Sequence, residues 1–489
     1  EDEVTKRSNQ LWKHRLGQAQ DVLVYEEKDE RFGLQVDRTR SRAYLLLDSS
    51  SHTTSEVRYL PAHRPDGRWR LVRRRKANIE YDVDHHGERF YLRLNDTGRN
   101  FRLVSIPLAA LKTAPWEEVV PHRPEVMLED FDLFEHYRVL YERDQGLEQM
   151  VITDLASGTS HRMAFAEPVY SLGSEANPEW STSTLRYTYQ SMTTPGTIYD
   201  YDMATRQRTL LKRRPVLGDF DPSQYLTERR NALAPDGTEV PVSLVYRTGT
   251  PLDGSAPLWL DGYGAYGYPN DVYFSSSRLS LLDRGLIYAV AHVRGGGDLG
   301  QTWHDAGRMR HKMHTFTDYI AVAESLIQAR YTSAARLVMS GGSAGGMLIG
   351  AVLNMRPDLC KVALLHVPFV DVLSTMLDAS LPLTVGEYEE WGNPQRRPFY
   401  QYMRQYSPYD NITQQAYPAI LVKTAFNDSQ VMYWEPAKYI AKLRVMNTAA
   451  TPLLLVTNMG AGHGGASGRY DYLHEIAYDF AFVLDQLGV

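Results

Sequence analysis

A serine set between glycines at the end of a short β-type run, Leu337-Val338-Met339-Ser340-Gly341-Gly342-Ser343-Ala344-Gly345-Gly346, is the first candidate for chemistry. Gly-x-Ser-x-Gly followed by the helix-forming run Met347 to Met355 has the strand, sharp turn, helix layout of a nucleophile elbow, which presents the hydroxyl at the edge of a sheet. Small residues at Gly341 and Gly345 let the backbone turn that tightly. A serine hydroxyl attacks only when a base takes its proton, and the base needs an acid to hold its tautomer. On such a scaffold the partners follow in the order serine, acid, histidine. Asp428 comes directly after the apolar run Ile420 to Lys423, and His463 comes after Leu453 to Val456, inside Gly460-Ala461-Gly462-His463-Gly464-Gly465. Both are therefore expected on loops at the carboxyl edge that carries Ser343. The oxyanion formed on attack needs waiting donors. The N-H of Ala344 is one, and the loop Gly262-Tyr263-Gly264-Ala265-Tyr266-Gly267 offers a second, from a tyrosine hydroxyl, unless its aromatics only pack.

Two further patterns compete with this one. Gly295-Gly296-Gly297-Asp298-Leu299-Gly300 spells a dinucleotide fingerprint after a strand, but the polar stretch Gln301 to His314 follows where that fingerprint needs an apolar helix start. His311 and His314 have the spacing of metal ligands without a third ligand or a catalytic zinc pattern. Neither a metal nor a cofactor is expected.

Elements able to position the serine, acid and histidine lie in the second half of the chain. From residue 216 to 489, runs such as Pro241 to Tyr246, Leu258 to Leu260, Leu286 to Val290 and Val362 to Leu365 alternate with helical stretches at Phe316 to Ala329, Trp434 to Met446 and Tyr472 to Leu487. That alternation predicts a mostly parallel, doubly wound sheet covered by helices, the α/β-hydrolase class. Residues 1–215 read differently. Tyr44 to Asp48, Tyr91 to Asn95, Val139 to Arg143 and Leu185 to Tyr189 recur about 47 residues apart, each followed by a turn and a second strand. Paired strands at this period predict an all-β propeller-type domain of about four blades.

The 489 residues, 43% apolar and 23% charged, suit a two-domain globular protein. A net charge of -6 argues against nucleic acid as the main partner and is compatible with cationic ligands. No apolar run reaches bilayer length, so no membrane partner is expected. The single cysteine, Cys360, excludes an internal disulfide framework and suits a reducing, cytoplasmic setting; the acidic start Glu1-Asp2-Glu3 is unlike a secretory signal.

The stretches SRLSLLDRGLIYAVAHVRGGGDLG, GGSAGGMLIGAVLNMRPDLC, VPFVDV, TMLDASLPLTVGEYEEWGNP, YSPYDNITQQAYP, DSQVMYWEPAKYIAKLR and GHGGASGRY together resemble the prolyl oligopeptidase family of serine peptidases, its oligopeptidase B branch above all. The resemblance covers essentially all of residues 216–489 and, more loosely, the blades. It implies Ser343, Asp428 and His463 as nucleophile, acid and base, with Tyr263 and the Ala344 N-H as the oxyanion hole. It also implies cleavage of short basic peptides after Arg or Lys, the cation being read by Glu387 and Glu389 in the acidic GEYEEW loop, with Asp271 linked to a second basic residue. Carboxylates in a cleft would pair with a guanidinium through charge-assisted hydrogen bonds.

The sequence departs from the family pattern in several places. About four blades stand where the family has seven, so the N-terminal part of the propeller is expected to be incomplete. Asp261 replaces a usual tyrosine, Ala425-Phe426-Asn427 precedes the catalytic acid, and Tyr273 replaces the acidic companion of Asp271. An esterase or another peptidase on the same scaffold, or an inactive propeller-bearing binding protein, are the competing readings. The oligomeric state is not legible.

Overall fold

The computed structural model describes residue 2, residues 5–468 and residues 470–489; Glu1, Glu3, Val4 and Arg469, the last within the GHGGASGRY stretch, lie outside the described residues. Four antiparallel sheets of four strands follow one another at 33–71, 81–120, 126–162 and 171–213, after a two-stranded sheet of Gln10–Lys13 and Val22–Glu26. The repeated strand pairs of the sequence are the two central strands of each sheet: Tyr44–Ser50 with Ser55–Pro61, Arg89–Leu94 with Arg102–Pro107, Tyr137–Asp144 with Leu147–Asp154, and Thr184–Gln190 with Thr197–Asp202. Apolar side chains cement each sheet to the next. Leu46, Val57 and Tyr59 pack with Val83, Phe90 and Leu92, Phe101 and Leu103 with Leu128 and Leu133, and Val139 and Ile152 with Leu185 and Tyr187. The outer strands Arg70–Leu71, Ser160–Arg162 and Arg208–Arg213 are short or fully solvent-facing, so little apolar periodicity marks them.

The second half is one eight-stranded sheet. Its strands are β1 (Tyr225–Leu233), β2 (Glu239–Arg247), β3 (Leu258–Gly262), β4 (Ile287–Ala291), β5 (Leu337–Gly342), β6 (Val362–His366), β7 (Ala419–Ala425) and β8 (Leu453–Asn458), in the spatial order β1-β2-β4-β3-β5-β6-β7-β8. β1, β2 and β4 pair antiparallel and all other neighbours are parallel. Successive residues of a strand face opposite sides. Leu258, Leu260, Met339, Leu365 and Val422 enter a core with the helices Met313–Gln328, Ala344–Met355 and Trp434–Met446, while Trp259, Val338, Leu364 and Leu421 enter a second core closed by Phe482 and Val483 of the helix Asp471–Leu487. Burial on both faces explains why these strands are almost continuously apolar. This is an α/β-hydrolase sheet preceded by propeller-type blades. Among the described residues no helix is long and apolar enough to cross a membrane.

The two halves meet through Val169 and Met192, which join the second core of the large sheet, and through polar contacts. Arg99 Nε reaches Asp305 at 2.6 Å, Asn100 accepts from the Gln301 N-H at 2.9 Å, and Ser51 and Thr53 donate to Glu389, each at 2.9 Å.

Candidate active site

β5 runs into Ser343, whose φ of 55° and ψ of -118° place a non-glycine residue in a disfavoured region that costs on the order of 1 to 3 kcal/mol. The surroundings hold it there. Its N-H donates to the His366 carbonyl at 2.8 Å, and its own carbonyl accepts from Phe369 at 3.0 Å. The flanking glycines answer a need for space: a Cβ on Gly341 would come within 2.3 Å of the Gly345 carbonyl oxygen, and one on Gly345 within 2.5 Å of the Gly262 carbonyl oxygen. The positive φ thus falls on the serine, and the glycines let β3 approach the turn.

Asp428 and His463 hang from the ends of β7 and β8. Asp428 Oδ2 lies 2.7 Å from His463 Nδ1, and Oδ1 accepts the N-H groups of Gln430 and Val431 at 2.9 Å each. The carboxylate is fully enclosed, whereas the imidazole remains open toward solvent on one side. With Nδ1 turned to the acid, Nε2 is the nitrogen free to exchange a proton with substrate or serine. Among the described residues no hydrogen bond joins Ser343 Oγ to His463. The Asn427 N-H donates to the Ala461 carbonyl at 3.1 Å, so the departure Ala425-Phe426-Asn427 still ties the acid loop to the histidine loop.

Ser343, His463, Tyr263 and Glu387 line a single cavity of about 590 Å³, together with Phe369 and Val431 and, from the N-terminal sheets, Arg31 and His52. Burial pushes the Tyr263 hydroxyl up, so it remains a protonated donor at neutral pH. The Ala344 N-H, on the first residue of its helix, has no intrahelical acceptor. Behind Tyr263 lies the triple-glycine run. A Cβ on Gly295 or Gly297 would come within 2.2 Å or 2.1 Å of the carbonyls of Gly264 and Gly267, so this run is a flat backing for the tyrosine loop. His311 and His314 stack on each other, and His314 Nδ1 lies 2.8 Å from the Ala306 carbonyl.

The acidic segment is a helix, Thr384–Trp391, where a loop was expected. Two residues apart on a helix means about 200° around its axis, so its glutamates diverge. Glu387 faces the cavity. Its Oε1 accepts from the Tyr266 hydroxyl at 3.0 Å and its Oε2 from Trp391 Nε1 at 2.8 Å, while burial pushes its carboxyl up to about 7 against those two donors. Glu389 corrects the expectation of a paired-carboxylate pocket: it turns away to Ser51 and Thr53 of the first blade and to Arg31 just before it, and does not line the cavity. Asp271 is a second correction. It is held by Arg143 of the third blade, at 2.8 Å and 3.3 Å, which occupies it with a protein cation outside the cavity. Asp261 lies under the elbow, where it accepts from Ser340 Oγ at 2.7 Å.

Three residues of the site carried no distinct signal. Tyr266, Glu390 and His304 support Glu387: Glu390 accepts the Tyr266 N-H at 3.0 Å and lies 2.6 Å from His304 Nε2. Glu387 and Trp391, four apart and joined, could have been read as one helical turn.

Known proteins share this architecture. The Prolyl oligopeptidase family profile matches residues 272–489, and that of the Prolyl oligopeptidase, N-terminal beta-propeller domain matches residues 1–214. Dipeptidyl aminopeptidase BI of Pseudoxanthomonas mexicana is 46% identical, with 100% of this chain covering 68% of that protein. Protease 2 of Moraxella lacunata is 40% identical over 99% of this chain and 70% of its own length. Oligopeptidase B from Trypanosoma brucei, solved in a closed form with covalently bound antipain, superimposes with a TM-score of 0.96 at 41% identity, covering 99% of this chain and 70% of that one. A sheet with an elbow serine, an Asp-His pair at its carboxyl edge and four blades in front, together with these identities, establishes that the chain belongs to the prolyl oligopeptidase family of serine peptidases.

Proposed function

We propose that this chain hydrolyses short peptides on the carboxyl side of Arg or Lys through an acyl-enzyme on Ser343. His463 Nε2 takes the Ser343 proton as Oγ attacks the scissile carbonyl, and Asp428 holds the imidazolium that forms. The oxyanion is received by the Ala344 N-H and the Tyr263 hydroxyl. His463 then protonates the departing amine, and water, deprotonated by the same nitrogen, releases the acid. The observation that carries the specificity is Glu387: an oriented carboxylate on the wall of the cavity that Ser343 and His463 line. A substrate guanidinium there meets a partly desolvated anion, a stronger pairing than on an open surface.

Glu387→Gln assayed on matched Arg and Phe peptides tests this. The Arg substrate is expected to lose on the order of 2 to 4 kcal/mol of transition-state binding, about 30-fold to 1000-fold in kcat/KM, and the Phe substrate little. Equal losses on both would contradict the reading.

A second reading is release of dipeptides from a free N-terminus, the activity named in the Pseudoxanthomonas relative. It is favoured by Glu30, a carboxylate on the blade side of the same cavity with no hydrogen-bond or ion-pair partner among the described residues, placed to receive an α-ammonium group. N-acetylation of a short substrate separates the two: the endopeptidase tolerates it and the dipeptidyl aminopeptidase does not. We further propose the division into domains at 215/216, which the propeller match ending at residue 214 and the break between the last blade strand, Arg208–Arg213, and β1 support, and a reducing, cytoplasmic setting, which the one buried thiol of Cys360 supports.

A further inference from the structure

Glu387 has two hydrogen-bond donors, of different origin. Trp391 belongs to its own helix, while Tyr266 comes from the loop that also carries Tyr263. Tyr266 stands at a φ of 58°, a conformation bulky residues avoid. It is fixed from three sides. Its N-H donates to Glu390, which is itself paired with His304, both side chains being almost wholly buried at 1% and 4% exposure. Its ring packs edge-to-face with Trp391, centroids 5.3 Å apart, and stacks with His52 of the first blade at 5.7 Å. Lys312, fully buried beneath Trp391, donates to the Gly264 carbonyl of the same loop.

We propose that Tyr266 is a specificity-positioning residue: its hydroxyl aims the Glu387 carboxylate at the substrate cation, and the buried Glu390-His304 pair holds Tyr266 in the conformation that lets it do so. This rests on the reading of Glu387 given above. A carboxylate that accepts two donors is favoured as the anion, against the burial that opposes it. The other groups facing it do not supply a further fixed donor. Glu390 on its own helix repels it, His463 attracts it from the catalytic loop, Tyr263 lies beside it, and Lys6, Arg7, Glu30, Arg31 and His52 close the cavity from the blade side.

The test is Tyr266→Phe, which keeps the ring and removes only the donor, measured as the ratio of kcat/KM on Arg and Phe peptides from pH 5.5 to 8.5. Protonation of His463 is common to both substrates and cancels in that ratio. Loss of one donor is expected to lower the ratio about tenfold at pH 7, mainly through KM for the Arg peptide, and to move its acid limb upward by about one pH unit. In a Glu387→Gln background the same change should add nothing. Glu390→Gln keeps an acceptor for the Tyr266 N-H but weakens its hold on His304, so the ratio should fall less. A ratio and acid limb unchanged in Tyr266→Phe, with Glu387→Gln still losing Arg selectivity, would overturn the role of Tyr266 alone. An unchanged ratio in Glu387→Gln would overturn the specificity reading beneath it.

Discussion

Ser343, Asp428 and His463 act as a unit in this account, so removing the nucleophile removes most of the rate at once. Ser343→Ala is expected to lower peptide turnover by at least about 10⁴-fold while leaving the unfolding transition close to that of the parent, because the hydroxyl makes no hydrogen bond within the described protein. Burst kinetics with an activated ester, beside a thermal melt, check both halves. Glu387 gives a pH dependence of known sign. Its carboxyl is pushed up to about 7 by burial, so protons neutralise it as the pH falls through that value. The Arg-to-Phe selectivity ratio of the parent enzyme should therefore decline below about pH 7, and a ratio constant from pH 5.5 to 8 would contradict the assignment. Ser343, His463 and Tyr263 stood out as candidates because each lies on a glycine-marked loop after an apolar strand, and Asp428 because it closely follows the apolar strand β7. Glu389 and Asp271 were misplaced because letters in a motif do not say which way a side chain points. Around the axis of the helix Thr384–Trp391, Glu389 faces the blade while Glu387 faces the cavity.

At the scale of elements, the elbow works only because β3 and the turn after β5 touch backbone to backbone. Gly345→Ala would bring a methyl within 2.5 Å of the Gly262 carbonyl oxygen and 3.4 Å of Tyr263 Cα. Since backbone cannot yield as a side-chain tip can, the Tyr263 loop must shift. The expected result is a fall in kcat of about 100-fold, with a smaller change in KM, because a displaced oxyanion donor acts in the transition state. Single-turnover acylation measures it, and a parent-like kcat would mean that the loop does not depend on this approach. The large sheet was legible almost strand by strand, since burial on both faces writes continuous apolar runs. β1 was not read, because much of Tyr225–Leu233 faces solvent. The outer blade strands were missed for the same reason, while the central pairs, packed between neighbouring sheets, announced themselves at their period.

Across the whole molecule, blades and catalytic sheet are joined in part by charged groups that the family resemblance assigned to substrate. Arg143, 3% exposed, is shared by Glu129, Glu148 and Asp271. Asp271→Asn should therefore act on the junction: a loss of about 1 to 2 kcal/mol in stability, less than for a buried pair with one acceptor because two carboxylates remain, and no change in preference for a second basic residue. Urea unfolding together with Arg-Arg and Ala-Arg substrates separates these outcomes. The blade-to-helix contacts of Ser51 and Thr53 with Glu389, invisible across more than three hundred residues of sequence, place the first blade beside the specificity helix. The central claim, that Ser343 is a nucleophile whose cavity selects a basic side chain, is tested most directly by one competition. The protein is mixed with equal amounts of an arginine-like and a phenylalanine-like peptidyl phosphonate, and the adducts are located by mass spectrometry. The account predicts a single adduct on Ser343, carrying the basic probe in large excess; labelling elsewhere, or equal capture of both probes at Ser343, would contradict it.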